Sequence, residues 1–463
     1  MSAWLNWVKT AARRRFAKDV GVLTAANIVS AGLGFLQALV VARWLGPTGY
    51  GLAALIMSYP SFVLTVLSFR TGQGAVKYLG EFAATGHTGR LLALCRFGYA
   101  LNLAVAVVTL VIVAVTGRWI ETSLLKTPDT LWVLIGYTAA YIPSSFAETS
   151  VAVFSTLRRF VTLAWIRVVV TMVRVALVLV LLQAGYGAAG VVAASALTIS
   201  LRGLGLLVLA HRTVVRTWGA TWLRAPWRAL AGKWREVLGF FLYTNLSALV
   251  GVAVKQLDVL ALGYFQGPAV AGNYNLAKVF GTAVGTLGRT LQTVIYPRFA
   301  ALWGGGRAAE FNLTLRRAAL GLGLPLGAGF LLGLPLVPIL LPIVVGTRFD
   351  DAIPMVSIAY VMTAMSLGLF WLRPWFLSTG RVREWFGLGA ANSLFALIAF
   401  PASAVLAGGV GVAAARLAGR LIRNLGAIFI VVRATRRREA GDTPGRPPVS
   451  VARAADASDA EVP

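Results

Sequence analysis

Thr162–Gln183 reads TLAWIRVVVTMVRVALVLVLLQ. As a helix its 22 residues rise roughly 33 Å at ~1.5 Å each, enough to cross ~30 Å of hydrocarbon. Two charges interrupt it. Arg167 and Arg174 are seven residues apart and therefore share one helix face, two turns from each other. A guanidinium at bilayer depth costs about 2.5–3.5 kcal/mol on insertion scales, so that face is expected to turn from lipid toward an aqueous cavity or a polar neighbour.

The rest of the chain extends this reading. Of its 463 residues, 58% are hydrophobic and only 13% are charged, against about a quarter charged in soluble domains. Apolar blocks of ~20 residues, the length a spanning helix needs, are centred on 20–42, 50–69, 91–116, 130–152, 162–183, 188–210, 237–264, 271–296, 313–341, 352–372, 385–407 and 410–432. The expected fold is all-α and polytopic, with about twelve transmembrane helices.

Loop charge gives the topology, because cytoplasmic loops collect Lys and Arg. One side holds Arg13 to Arg15 with Lys18; Arg70, Lys77 and Arg90; Arg158 and Arg159; a basic stretch from Arg212 to Arg235; Arg298, Arg307, Arg316 and Arg317; Arg381 and Arg383; and Arg433 with Arg436 to Arg438. The other side holds only Arg43, Arg118, Lys126 and Arg348. Both termini are expected to be cytoplasmic. This alternation accounts for the net charge of +27, so no nucleic-acid partner is expected.

Laid on itself at an offset of 221 residues, the chain repeats. Gly46, Pro47 and Gly51 fall on Gly267, Pro268 and Gly272, while Gly190, Ala193, Ala194, Arg202 and Gly205 fall on Gly411, Ala414, Ala415, Arg423 and Gly426. Two six-helix lobes follow. An even number of spans gives both lobes the same orientation, hence a pseudo-two-fold along the membrane normal and a cavity between them. The expected organisation is a basic cytoplasmic interfacial segment (1–18), an N-lobe (19–210), a cytoplasmic linker (211–236), a C-lobe (237–433) and a disordered cytoplasmic tail (434–463), whose Gly, Pro, Ala and Asp cannot bury a core. Trp218, Trp222, Trp227 and Trp234 alternate with arginines in the linker and are expected at headgroup level, beside anionic membrane lipid.

Charges within the spans are the candidate site. Arg174 and Arg416 lie deepest, whereas Arg167 and Arg423 lie nearer helix ends, where long side chains also reach headgroups. Arg416, Arg420 and Arg423 recur at spacings of four and seven, again one face. Lys255 and Asp258, three apart, have the spacing of an internal ion pair. Gln37 takes the place of Asp258 at the repeat offset, so both are expected to line the cavity. Lys278 and Arg289 add charge to the eighth span. Glu148 is fit to pair with an arginine or, like Asp258, to carry a coupling proton. Pro60, Pro143 and Pro297 supply bends. The single cysteine, Cys95, forms no internal disulfide, and His87 and His211, both in expected loops, make a metal site improbable. No cofactor is expected.

Several guanidinium groups around one cavity suit an anion, phosphate above all, because the planar fork binds oxygens in pairs. Ala38–Leu55, ALVVARWLGPTGYGLAAL, resembles the first hairpin of Wzx-type polysaccharide flippases of the multidrug/oligosaccharidyl-lipid/polysaccharide (MOP) exporter superfamily. Gln256–Ala277, QLDVLALGYFQGPAVAGNYNLA, resembles their second-lobe hairpin, with matching Asp258, Gly272 and Tyr274. The resemblance implies a MATE-like fold and a bacterial inner-membrane transporter rather than an enzyme. It would flip undecaprenyl-pyrophosphate-linked oligosaccharide from the inner to the outer leaflet by alternating access, working beside glycosyltransferases and a polysaccharide polymerase. No Gly-x-x-x-x-Gly-Lys-Ser/Thr loop is present to bind a nucleotide.

Two alternatives stay open. An ion-coupled exporter of small molecules would be expected to carry an acid in its first helix, and none lies between Gly21 and Val41. A multipass glycan polymerase or transferase needs carboxylates for acid–base chemistry, which the short outer loops pair only at Asp350 and Asp351.

Overall fold

Within hydrocarbon every backbone N–H and C=O must find a partner in its own segment, so apolar blocks of this length fold as helices. The computed structural model describes residues 2–68, 71–219, 222–249, 251 and 256–439, and among these the regular structure is entirely helical. The first half comprises α1 (Ser2–Leu67), α2 (Thr71–Ala84), α3 (Thr88–Ile120), a broken helix α4–α6 (Leu131–Ala139, Tyr141–Ser144, Phe146–Thr156), α7 (Phe160–Gln183) and α8 (Gly187–Trp218). The second comprises α9 (Trp234–Leu249), α10 (Asp258–Gln266), α11 (Pro268–Gly304), the run α12 (Ala308–Arg316), α13 (Leu324–Leu331) and α14 (Val337–Val345), then α15 (Ile353–Gly368), α16 (Leu372–Ser378) and α17 (Val382–Glu439).

Among the described residues, seven segments are long and apolar enough to cross a membrane. Some hold two crossings: Gly21–Leu67 has 47 residues, roughly 70 Å of helix at ~1.5 Å each, and it breaks at Gly46. Val382–Arg436 likewise breaks at Ala407 and Gly408. By contrast α11 is long but too polar to be counted, because Lys278, Arg289 and several threonines lie along it.

The breaks recur in register. Left-handed φ angles occur at Gly46, Gly86, Lys126, Arg158 and Gly187, and again at Gly267, Gly306, Gly346, Gly380 and Gly408, each pair 220 to 222 residues apart. Gly46 (φ 67, ψ 179) and Gly267 (φ 93, ψ 179) share a conformation essentially confined to glycine, and Pro47 and Pro268 start the next helix with φ already set. Just beyond, the two hairpins cross. A Cβ on Gly51 would strike the carbonyl of Pro268, and one on Gly272 would strike that of Pro47. The contact is reciprocal, the pattern a two-fold relation generates, and small residues let the helix backbones meet.

Around these turns both halves share one core, which joins Val41 and Leu55 to Leu262, Leu341 and Phe349. Arg43 of α1 donates to the carbonyls of Ile343 (2.9 Å) and Val344 (3.1 Å) in the last turn of α14, where unpaired carbonyls and the helix dipole favour a cation. Tyr50 meets Phe349 edge to face, their centroids 6.3 Å apart. The molecule is closed on the Gly46 face.

Three expectations are corrected. The seventh span, expected as one helix over 237–264, is two, α9 and α10, with a turn at Gly251 between them. Its α9 packs on the first half: Val237 and Phe241 join Tyr78, Phe82, Leu91 and Tyr99 in one buried cluster. The linker tryptophans fold onto α3. Trp222 lies 4.5 Å from the Tyr99 ring, Trp234 lies 4.9 Å from Phe97, and Trp227 carries the Arg96 guanidinium 4.6 Å above its ring. Each such ring buries about 150–250 Å², and the aromatic end of α3 supplies the surface to bury it against. His211 belongs to α8, not a loop, and α17 carries 434–439 of the expected tail as helix. Residues 440–463 and Lys255 lie outside the described residues.

Candidate functional site

Away from the Gly46 face the halves separate. A cavity of about 590 Å³ is walled by Thr24, Asn27 and Ser30 of α1, Arg167, Thr171 and Arg174 of α7, Thr198 and Arg202 of α8, and Thr286, Arg289, Thr290 and Thr293 of α11. Ser30, Arg174 and Thr286 also wall an adjoining space of about 510 Å³ that reaches Gln37, Tyr50 and Lys278. Lys278 and Thr282 lead on to a recess of about 290 Å³ lined by Arg416 and Arg420. Across Arg202 lies a further cavity of the first half, about 590 Å³, which holds Glu148, Asn102 and Ser68.

The cations stand at graded depths. Counted at ~1.5 Å per residue from the turns Gly187, Gly267 and Gly408, Arg416 lies ~12 Å below the closed face, Lys278 and Arg420 ~16–18 Å, Arg174 and Arg202 ~20–22 Å, and Arg167 and Arg289 ~30–33 Å.

They are held in two ways. In the second half Asp258 is fully buried. Its Oδ1 accepts from Lys278 Nζ (3.0 Å) and the Val259 N–H (2.8 Å). Its Oδ2 accepts from Tyr274 OH (2.9 Å) and from the Arg416 guanidinium, which also donates to the Tyr274 oxygen at 3.1 Å. Asp258 pairs with Lys278 because α11 returns beside α10 after the Gly267 turn; the Lys255 expected from spacing lies outside the described residues. Among the described residues two cations share this carboxylate, leaving a local excess of one positive charge.

In the first half the partners are neutral amides. Arg174 Nε donates to Gln37 Oε1 at 3.1 Å, and Arg167 donates to the side-chain carbonyl of Asn27. Gln37 is buried. An amide orients a guanidinium through its dipole and leaves the charge uncancelled. Arg202 lies between attraction from Glu148 and repulsion from Arg167.

The remaining candidates divide. Arg420 lines the second-half recess and donates to Met362 O (3.0 Å) and Ser366 Oγ (2.7 Å), which tether it to α15. Arg423 lines none of these cavities: its guanidinium lies 5.5 Å over the Trp385 ring, a cation–π contact near the helix end, with an Nη2 to Asn424 Oδ1 distance of 3.4 Å. Glu148 faces the first-half cavity beside Gly72. Lys278 and Arg289, whose direction the sequence leaves open, both reach cavity wall. Arg202 escaped the sequence analysis as a site residue. Its signal was an arginine midway along the apolar α8, noted only as the repeat partner of Arg423.

Known proteins bear on this arrangement. A family model described as polysaccharide biosynthesis protein matches residues 16–303. The chain is similar to inner membrane protein YghQ of Escherichia coli (strain K12), 22% identical over 302 residues that cover 64% of this chain and 83% of that one. Among solved structures it is similar to lipid II flippase MurJ in an inward closed conformation, with a TM-score of 0.68 at 12% identity over 89% of this chain and 87% of that one. An inward-facing MATE family multidrug resistance transporter of the MOP superfamily gives 0.65 at 15% identity, over 87% and 95%. A Vibrio cholerae MATE transporter gives 0.61 at 13%, over 91% and 98%. Helix arrangement and family model together make this chain a multi-pass membrane protein of the polysaccharide biosynthesis protein family, with the fold of MOP-superfamily transporters.

Proposed function

We propose that the protein moves an oligosaccharide linked to undecaprenyl pyrophosphate from the inner to the outer leaflet, by alternating access between two six-helix halves. The observation that carries this reading is the graded series of cations from Arg167 and Arg289, through Arg174 and Arg202, to Lys278 and Arg416, along three adjoining cavities that share wall residues. A pyrophosphate presents several oxygens to such forks, and each charge-assisted hydrogen bond is worth about 1.5–3 kcal/mol.

The five paired turns support six crossings per half, and the basic loops support cytoplasmic termini. On that topology the open cavity faces the cytoplasm, where a lipid-linked sugar is assembled, and the Arg43 contacts with α14 close the outer face. Rocking one half about the Gly51–Gly272 crossing would exchange the open side. Organic cations are poorly suited to this space, since the arginines on its wall repel them. Glycan synthesis is poorly served too, because Glu148 lies in the first-half cavity and Asp258 is enclosed by two cations in the second, leaving no carboxylate pair for acid–base work among the described residues that line these cavities.

Proteoliposomes carrying a fluorescent undecaprenyl-pyrophosphate-N-acetylglucosamine test the reading through reductant quenching of the outer leaflet. The expected result is exchange of the probe between leaflets without ATP, slowed about tenfold or more in Arg174→Ala. Exchange no faster than in protein-free vesicles, or formation of a new glycosidic bond, would overturn it.

A further inference from the structure

The two walls of the main cavity differ in balance: α7 and α8 carry three arginines with Thr171 and Thr198, whereas α11 carries Arg289 with a continuous row of threonines. Arg167, Arg174 and Arg202 on α7 and α8 can only donate hydrogen bonds. Opposite them α11 presents Thr282, Thr286, Thr290 and Thr293, at spacings that keep them on one helix face. Each of these hydroxyls already donates to the carbonyl one turn back: Thr282 to Lys278 (2.8 Å), Thr286 to Thr282 (3.2 Å), Thr290 to Thr286 (3.2 Å) and Thr293 to Arg289 (3.0 Å). With the proton committed to its own helix, each oxygen turns acceptor lone pairs to the cavity. Arg289 uses one of them, on Thr286, at 3.0 Å.

A bare phosphate is all acceptor and gains nothing from such a stripe. A sugar hydroxyl gains, because it can donate. We propose that the α11 threonine stripe is a carbohydrate subsite, in which Thr282, Thr290 and Thr293 accept protons from hydroxyls of the headgroup's sugar while the arginines of α7 and α8 hold the phosphates. This rests on the reading of the cargo as a phosphate-linked saccharide and adds the orientation: phosphate against α7 and α8, saccharide along α11. A threonine to valine change keeps side-chain shape and removes the acceptor. A threonine to serine change keeps the acceptor.

The test is equilibrium binding of two probes, undecaprenyl pyrophosphate and undecaprenyl-pyrophosphate-N-acetylglucosamine, to the full protein in nanodiscs. T282V/T290V/T293V is expected to weaken the glycosylated probe about tenfold and leave the sugar-free probe unchanged. The corresponding triple serine variant is expected to bind both as the parent does. Equal loss for both probes, or no loss for either, overturns the subsite and leaves the cargo reading standing, provided Arg174→Ala still loses the sugar-free probe. Failure of the parent to bind either probe overturns both.

Discussion

The amide-held arginines of the first half and the carboxylate-held cations of the second carry the same kind of charge in different states. Arg174 leans on Gln37, a neutral group that orients it. Arg416 and Lys278 converge on Asp258, which cancels half of their combined charge. The two polar anchors sit at equivalent positions of the repeat, 221 residues apart, but the cations around them do not: at that offset Arg174 falls on Phe395, and Lys278 and Arg416 fall on Met57 and Ser195. The first-half set also lies farther from the closed face, where an entering anion meets it first. It is suited to capture; the second-half set is suited to holding shape at the point where the halves join.

The comparison breaks most sharply at Asp258. Asp258→Ala leaves Lys278 and Arg416 without their carboxylate in a buried site, which is expected to destabilise the fold by about 3–5 kcal/mol. Thermal unfolding in detergent would register this as a large drop in Tm, and an unchanged Tm would mean that the cluster is not structural. Arg174→Ala is the reciprocal case. It should leave Tm nearly constant while weakening undecaprenyl pyrophosphate by about 1.5–3 kcal/mol, roughly 10- to 150-fold, in a nanodisc titration.

Gln37→Glu sharpens the contrast by giving the first half the second half's chemistry. The new carboxylate should pair with Arg174 and reduce anion affinity about tenfold without loss of stability; a gain in affinity would show that orientation matters more than free charge. The smallest effect is expected at the outer latch. Arg43→Gln removes a cation from the end of α14, worth about 0.3–1 kcal/mol. Spin labels at Thr48 and Thr347 should then report a broader distance distribution across the Gly46 face, and an unchanged distribution would assign closure to the Gly51–Gly272 crossing alone.

Helix periodicity made part of this legible. That Arg167 and Arg174 share a face follows from spacing within one helix, and the Gly-Pro turns follow from residues that only certain backbone angles tolerate. The same local logic fails when the partner lies on another element. Spacing within one helix marks no partner for Asp258 beyond Lys255, which lies outside the described residues, whereas Lys278 and Arg416 come from α11 and α17, neighbours set by the hairpin at Gly267 and by packing of the second half. Arg416 and Arg423 share a stripe in the sequence, but Trp385 draws the second away. The docking of α9 on α2 and α3 was hidden for a related reason: an apolar run of spanning length carries no mark of which half will bury it, and the break near Gly251 interrupts it without a proline. Nor does the alternation of tryptophan and arginine in the linker mark that Phe97 and Tyr99 lie beside Trp234 and Trp222.

The central claim is that the amide-held arginines receive the pyrophosphate. An electron cryomicroscopy structure of the full protein in nanodiscs, with undecaprenyl-pyrophosphate-N-acetylglucosamine bound, tests it most directly. The account predicts phosphate density in hydrogen-bond contact with Arg174 and Arg167, and Lys278 and Arg416 still closed on Asp258. Phosphate density outside the cavity, or seated on Lys278 and Arg416 with Asp258 displaced while Arg174 stays on Gln37 alone, would contradict it.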